Sequence, residues 1–288
     1  MIPTVYTLFL LEEIKTDGHS PMKFLCNDGN YYYCKYRTQF NKEELDCLVY
    51  ELVCQALLKY LNIPTPDVAF VMIKENSYDL RKLIANKRYI KPGMVCFGSK
   101  EAETTALITG IQGISCKRDF NEFANPYDLL KIAIFDLWVD NTDRGRGSAE
   151  NYNLLMQTYS IEEPETKRII LKNRWLAFDH AFCFGGTEKL RIFNASMLPT
   201  ANGKLIESEY FNGVKKYYQQ ERCEQLIENF IPLCINNLEA IIHDVYSQLP
   251  PEWQTPTSLA ERMTTFLSSS ERTMHLKQLT QHYTFKNK

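Results

Sequence analysis

Two acidic positions, each delivered by an apolar segment and each surrounded by polar residues, hold most of the chemistry this sequence can do. The first lies in Trp138-Val139-Asp140-Asn141-Thr142-Asp143-Arg144, where a strongly apolar stretch runs into a polar loop carrying Asp143. Just beyond, Glu150-Asn151-Tyr152-Asn153-Leu154-Leu155 opens a strand-like segment with two amides. The second is Leu176-Ala177-Phe178-Asp179-His180, an apolar strand ending in an acid. Two carboxylates and an amide on adjacent strand ends can converge on one spot. Such a set of hard oxygen ligands suits Mg²⁺, which takes few protein ligands and completes its shell with water and substrate phosphates. Each piece alone is common turn chemistry; the ordered set on the right elements is what carries the reading.

Lys35 extends the set. It sits in the aromatic run Tyr31-Tyr32-Tyr33-Cys34-Lys35-Tyr36. A strand lysine is ordinarily solvated, but at a lobe interface it can reach the α- and β-phosphates of a nucleotide. The chain order of lysine, loop acid, amide and strand-end acid resembles that of kinases. Neither His-Arg-Asp nor Asp-Phe-Gly occurs. Instead Asn141-x-Asp143-Arg144, Asn151-x-Asn153-Leu154-Leu155 and Phe178-Asp179-His180 resemble the HipA-like kinases and, more distantly, the phosphoinositide kinases.

By that resemblance Asp143 orients the acceptor hydroxyl and takes its proton, Asp179 holds Mg²⁺, and Asn151 or Asn153 completes the metal site. Asn151 is preferred because Asn-x-Asn-Leu-Leu fits from its first Asn. The family places this Asn closer behind the Asp, whereas Asn151 follows Asp143 by eight positions, with Gly145-Arg146-Gly147-Ser148 as an apparent insertion. The same resemblance makes Lys35 the phosphate lysine, after the Asp28-Gly29 hairpin, and Gly18-His19-Ser20 the loop over the phosphates, where backbone N–H groups meet anionic oxygens. Glu51 is its candidate partner for Lys35, although on a helical wheel it falls well off the apolar stripe, and a solvent-facing Glu is the alternative. Cys96-Phe97-Gly98-Ser99 also resembles a family segment and receives no role. The resemblance runs from about Gly18 to Leu249–Trp253. It implies ATP with Mg²⁺, transfer of the γ-phosphate, and a Ser or Thr on a protein as acceptor. The larger HipA toxins carry an extra N-terminal subdomain, and this chain begins almost at the kinase core, so a toxin–antitoxin type of partner is not assumed.

The elements that must position these residues follow from periodicity. Val5–Leu11, Met22–Cys26 and Tyr31–Tyr36 read as strands separated by turn signals at 17–20 and 28–29. Leu45 to Leu61 repeats apolar residues at helical spacing, with Asn41 as N-cap and Ile63-Pro64-Thr65-Pro66 as its end. Val68–Ile73 and Met94–Phe97 read as strands, Asp79–Ala85 as a short helix, and 100–120 carries no clear pattern. A buried helix begins at Pro126, and strands follow at Tyr152–Met156, Ile169–Leu171 and Trp175–Phe178. The remainder reads as helices Cys223–Ile231 and Leu238–Leu249, broken at Pro232, then Leu259–Leu267 and Met274–Leu279. The expectation is an α+β, two-lobed, protein-kinase-like fold. Residues 1–99 form a β-rich N-lobe with one long helix, and 100–288 a mainly helical C-lobe.

Composition narrows the alternatives. At 288 residues, 44% hydrophobic and 24% charged, the chain is that of an ordinary globular protein. A net charge of −2 argues against nucleic acid as the main partner. The N-terminus lacks the basic region and cleavage site of a signal peptide, and no stretch has the length of a membrane span. Nine scattered cysteines without a CxxC pair point to reduced core thiols in a cytoplasmic protein, with no structural zinc. Three other readings stand beside the kinase: transfer of the AMP part of ATP on the same fold, a nucleotide-binding pseudokinase favoured by the Asn151 spacing, and a nucleic-acid-binding partner disfavoured by charge.

Overall fold

The structure is a computed structural model; it describes all residues but 17–18, 39–43, 110–113, 115, 146–150, 164, 166, 185–195 and 287–288, and the backbone alone of Asn151. Gly18 and Asn41 therefore lie outside the described residues, as does the side chain of Asn151.

The first hundred residues build one closed sheet. Its strands are β1 (Thr4–Glu13), β2 (Met22–Cys26), β3 (Tyr31–Lys35), β4 (Val68–Met72) and β5 (Val95–Lys100), in the order β1-β2-β3-β5-β4. β1 pairs antiparallel with β2 and parallel with β4, which closes the barrel. The β2–β3 hairpin turns at Asp28-Gly29, where Gly29 adopts φ +78° and the Asp28 carboxylate accepts hydrogen bonds from the Asn30 amide (3.1 Å) and the Tyr32 hydroxyl (2.8 Å). Inside the barrel Gly98 of β5 lies opposite Cys34 and Ala69. A Cβ there would come within 2.3 Å of Val71 Cγ2, so the close approach of three strands requires glycine.

Between β3 and β4 runs α1 (Glu44–Tyr60), which is buried without interruption from Cys47 to Gln55. It stops at Asn62, in the left-handed region at φ +53°, with the Ile63 amide bonded back to the Leu58 carbonyl at 2.9 Å. The stretch before β5 forms two single-turn 3₁₀ segments, Leu80–Lys82 and Asn86–Arg88, in place of the one short helix expected there.

A second sheet, in the order β6-β7-β8, combines β6 (Thr105–Thr109), β7 (Asn151–Glu162) and β8 (Ile169–Ala177). β6 and the short helix α2 (Lys117–Asn121) occupy the region without sequence pattern. β8 is one strand, where the sequence suggested two, because Lys172, Asn173 and Arg174 stay in register with Tyr159, Thr158 and Gln157. α3 (Asp128–Trp138) starts two residues after Pro126 and is buried on nearly every face.

The chain ends in α4 (Glu209–Lys215), α5 (Gln220–Ile235), α6 (Leu238–Ser247), α7 (Thr257–Ser268) and α8 (Ser270–Phe285). Pro232 does not break α5. The helix runs through it, and the chain changes direction at Asn237, in the left-handed region at φ +55°. A single apolar core joins both sheets and the helices. The Trp253 indole reaches from the C-terminal half to the Val95 carbonyl (3.0 Å), with its ring edge-on to Phe70. The result is the expected α+β, two-lobed architecture, β-rich first and helical last. No helix among the described residues is long and apolar enough to cross a membrane. All nine cysteines are free, and all but Cys116 are buried.

Candidate active site

The floor of the site is a loop held from below. α3 ends at Trp138, and the chain turns at Asp140, which has φ +53°. The Asn141 side chain bridges this turn: its Nδ2 donates to Asp136 Oδ1 (3.0 Å) and its Oδ1 accepts the Asp143 amide (3.1 Å). Both the amide and the hydroxyl of Thr142 donate to the Phe182 carbonyl, at 3.1 and 3.0 Å. Asp140 is ion-paired with Lys204, and both are buried. At Gly145, φ is +91°, where any side chain is strained, and a Cβ would sit 3.0 Å from the Lys204 backbone, a tight contact.

Arg144 is the central tie. Its guanidinium is fully buried and forms an ion pair with Asp136 at 2.7 Å. It also donates to the carbonyls of Tyr152 (2.7 Å), Asn153 and Phe178 (3.1 Å), and it meets His180 Nε2 at 2.9 Å. Burial, reinforced by this guanidinium, holds His180 well below its ordinary pKa. A neutral ring then accepts the guanidinium N–H at Nε2. One cation thus fixes the polar loop, the start of β7 and the segment after β8 in one arrangement. Arg272 acts similarly from α8, donating to the carbonyls of Leu137, Trp138 and Met197 and so satisfying the last carbonyls of the buried end of α3.

Above this floor the sequence-derived candidates gather. Asn153, buried and at φ +44°, donates from Nδ2 to Asp143 Oδ2 at 2.8 Å. Asp179, at φ +59°, follows β8 and points one oxygen at Lys35 Nζ, 2.8 Å away. Lys35, the last residue of β3, also meets Glu51 Oε1 at 2.6 Å. The second oxygen of Glu51 accepts the His180 amide at 2.8 Å. Glu51 is only 4% exposed and does not face solvent. Its carboxylate therefore links β3, α1 and the segment after β8.

The electrostatics follow from this geometry. Burial alone would lower the Lys35 pKa, but Asp179 and Glu51 outweigh it and raise it above its ordinary value. Burial pushes Asp179 upward, but the Lys35 ammonium prevails and holds the carboxyl at about 2. Glu51 is raised, because burial exceeds the attraction of Lys35. Asp143 is also raised, first by burial and then by repulsion from Asp179, against the Asn153 hydrogen bond.

His19 and Ser20 lie over the same place. His19 is 7% exposed and stacks on Phe182 with ring centroids 6.1 Å apart. Its Nε2 has no hydrogen-bond partner among the described residues. Burial and the charge of Lys35 lower its pKa to about 4 against the pull of Asp179. The Ser20 amide donates to Thr16 Oγ1 (3.1 Å), so that backbone group is engaged within the loop.

Asp143 and Asp179 stand close enough for their charges to repel. Asp143, Asp179 and the Asn153 amide are hard oxygen donors, and the repulsion of Asp143 by Asp179 is what a divalent ion relieves. Among the described residues no group of three His, Cys, Asp or Glu makes a metal cage. Asp136, Lys204, Phe182 and Arg272 were not singled out from the sequence. Of the supporting side chains, Asn141, Arg144 and His180 were part of the motifs there.

The sequence profile of the HipA-like kinase family matches residues 11–286. Among solved structures, the Helicobacter pylori proinflammatory kinase CtkA superposes with a TM-score of 0.52 at 12% identity, over 99% of this chain and 98% of that chain. The Golgi casein kinase with Mn/ADP bound gives a TM-score of 0.49 at 10% identity, over 99% of this chain and 74% of that chain. At its identity the first likeness speaks to the fold alone, which is kinase-like, and the second carries no argument. No curated protein sequence matches the chain at a significant level.

Proposed function

The chain belongs to the HipA-like kinase family, and from that premise we propose that it transfers the γ-phosphoryl group of Mg·ATP to a Ser or Thr hydroxyl on a protein. The single observation that carries the reading is the buried Lys35, paired with Glu51 at 2.6 Å and with Asp179 at 2.8 Å while Asp143 stands within electrostatic reach. A lysine held between two acids of different function is the arrangement that orients nucleotide phosphates and metal in this kind of chemistry.

In this reading the cleft between residues 1–99 and 100–288 takes the nucleotide. Lys35 meets the α- and β-phosphates, kept extended toward them by Glu51. Asp179 and an amide, Asn153 or Asn151, hold Mg²⁺, which neutralises phosphate charge when bound. Asp143 accepts the proton of the acceptor hydroxyl and holds that oxygen in line. The Asn153 side-chain amide, 2.8 Å from Asp143 Oδ2, holds that carboxylate in place for this role. Arg144, reaching the carbonyls of Asn153 and Phe178, keeps the two acid-bearing segments at fixed separation. Positioning and electrostatics supply the rate, with little covalent work for the protein.

The test is label transfer. Incubation with ATP labelled on the γ-phosphate should label a mixed protein or peptide substrate, whereas α-label should not transfer. Asp143→Ala should abolish transfer and leave the melting curve and Mg·ATP binding in place. Transfer of α-label would mean AMP transfer. Absence of both labels, with Mg·ATP still raising the melting temperature, would mean a nucleotide-binding pseudokinase.

A further inference from the structure

The 3₁₀ segment before β5 does more than join strands. Asn86, at its start, is 1% exposed, and its side-chain amide donates twice from Nδ2. One bond goes to Glu13 Oε1 and the other to the Ser20 carbonyl, both at 2.7 Å. Glu13, at the end of β1, is itself fixed. Its carboxylate accepts the backbone amides of Ile84 (2.5 Å), Ala85 (3.2 Å) and Asn86 (2.8 Å). These bonds outweigh its burial and hold Glu13 ionised below its ordinary pKa.

We infer that Asn86, aligned by Glu13, is a positioning residue that sets where His19 and Ser20 stand over the phosphate side of the cleft. The inference rests on the proposed nucleotide site. Three features distinguish this contact from packing. Ser20 holds φ +42°, a strained conformation for a non-glycine residue, and needs an external tie to keep it. Both Ser20 backbone groups are engaged, the amide on Thr16 and the carbonyl on Asn86, so the peptide plane on either side cannot rotate freely. The neighbouring His19 side chain is thereby turned inward, where it meets Phe182 and feels the charges of Lys35 and Asp179. Phe182 in turn accepts from Thr142, one residue before Asp143. Asn86 thus acts on the cleft through Ser20 and His19, without touching nucleotide itself.

Asn86→Leu keeps the side-chain bulk and removes both donors. It should weaken Mg·ATP binding by about ten-fold, the loss expected for a buried hydrogen bond of about 1.4 kcal/mol. The KM for ATP should rise with it while kcat at saturating ATP stays within about two-fold, since the chemical groups are untouched. Hydrogen exchange at the Ser20 amide should accelerate in the nucleotide-free variant. Glu13→Gln, which leaves Asn86 in place but weakens its alignment, should move all three readouts the same way and less far, and serves if Asn86→Leu does not fold. Asp79→Ala, which uncaps the exposed turn at Leu80–Lys82, is the control for general loosening of the segment and should leave ATP binding unchanged. If both folded variants bind Mg·ATP like the wild type, the inference falls while the nucleotide site stands. It also falls if Asp79→Ala matches Asn86→Leu. If the wild type binds no Mg·ATP, the nucleotide site and the inference fall together.

Discussion

Lys35→Met is the perturbation that most directly interrogates the site. The lysine is buried and paired with two acids, and the two differ in how they can respond. Glu51 is 4% exposed and would keep only the His180 amide as partner. An unpaired buried carboxylate of this kind costs about 3–5 kcal/mol. The Asp179 side chain is 27% exposed and can rehydrate. Its return from a pKa of about 2 toward 3.8 adds at most about 2.5 kcal/mol at neutral pH. The dominant cost therefore belongs to Glu51, and Lys35→Met/Glu51→Gln should be more stable than Lys35→Met alone by at least about 1 kcal/mol, because a neutral amide still accepts the His180 N–H. Urea unfolding followed by the fluorescence of the buried Trp138, Trp175 and Trp253 reads this out. The sign with pH is fixed as well. Glu51 already titrates above its unfolded value of 4.5, and without Lys35 it rises further. The folded variant then holds a proton that the unfolded chain releases, so Lys35→Met should lose stability as pH rises above 4.5. Phosphotransfer should be absent from both variants. A double variant less stable than the single one, or a single variant within about 0.5 kcal/mol of wild type, would refute the claim that Lys35 neutralises a buried Glu51.

The other expectations concern the floor, the barrel and the loop. Arg144→Met leaves Asp136 buried without its cation and should cost about 3–5 kcal/mol in urea unfolding, with phosphotransfer lost even at temperatures where the variant is folded. Gly98→Ala, whose methyl would meet Val71 Cγ2 at 2.3 Å, should destabilise by about 1–3 kcal/mol, and Val71→Ala in the same chain should recover part of the loss. His19 is depressed from 6.5 to about 4, so its contribution is complete above pH 6.5 and is lost as pH falls toward 4. The loss totals about 3 kcal/mol. His19→Gln should flatten that acid limb of the stability profile, and an unchanged limb would mean that other groups, His180 among them, account for it.

Much of the fold is legible where turn chemistry and burial agree. Met22–Cys26 alternates and is bounded by turns, and the strand occupies those residues. Pattern reading fails where one of the two is silent. β6 buries only Ile108, with Ala106 and Leu107 on the outside, so it offers no alternation to detect. In β8 the polar run Lys172-Asn173-Arg174 looked like a break, but cross-strand pairing with β7 and the backbone bonds to Glu122 and Ala124 hold it extended. Pro232 removes one helix amide, yet Ile231 and Cys234 on the buried face keep α5 continuous beyond it. Tertiary packing overrides the local signal in each case.

The site divides along a different line. Asp143 and Asp179 stood out because each follows an apolar element, and the amides Asn151, the one preferred, and Asn153 because they open the strand between them in an order that resembles the family's. Their distant supports did not, since a buried pair formed across the sequence leaves no local pattern: Lys204 reaches Asp140 over 64 positions and Asn86 reaches Ser20 over 66. Glu51 is the instructive intermediate. A helical wheel assumes one wet face, and on that assumption Glu51 belongs outside. α1 has no wet face at this level, because Tyr50, Glu51, Leu52 and Val53 are all buried in succession. Once the helix is enclosed, a carboxylate off the apolar stripe must find a cation and a donor, and Lys35 and the His180 amide provide them. The same burial that makes Glu51 unreadable on a wheel is what lets one carboxylate bind β3, α1 and the Asp179 segment together.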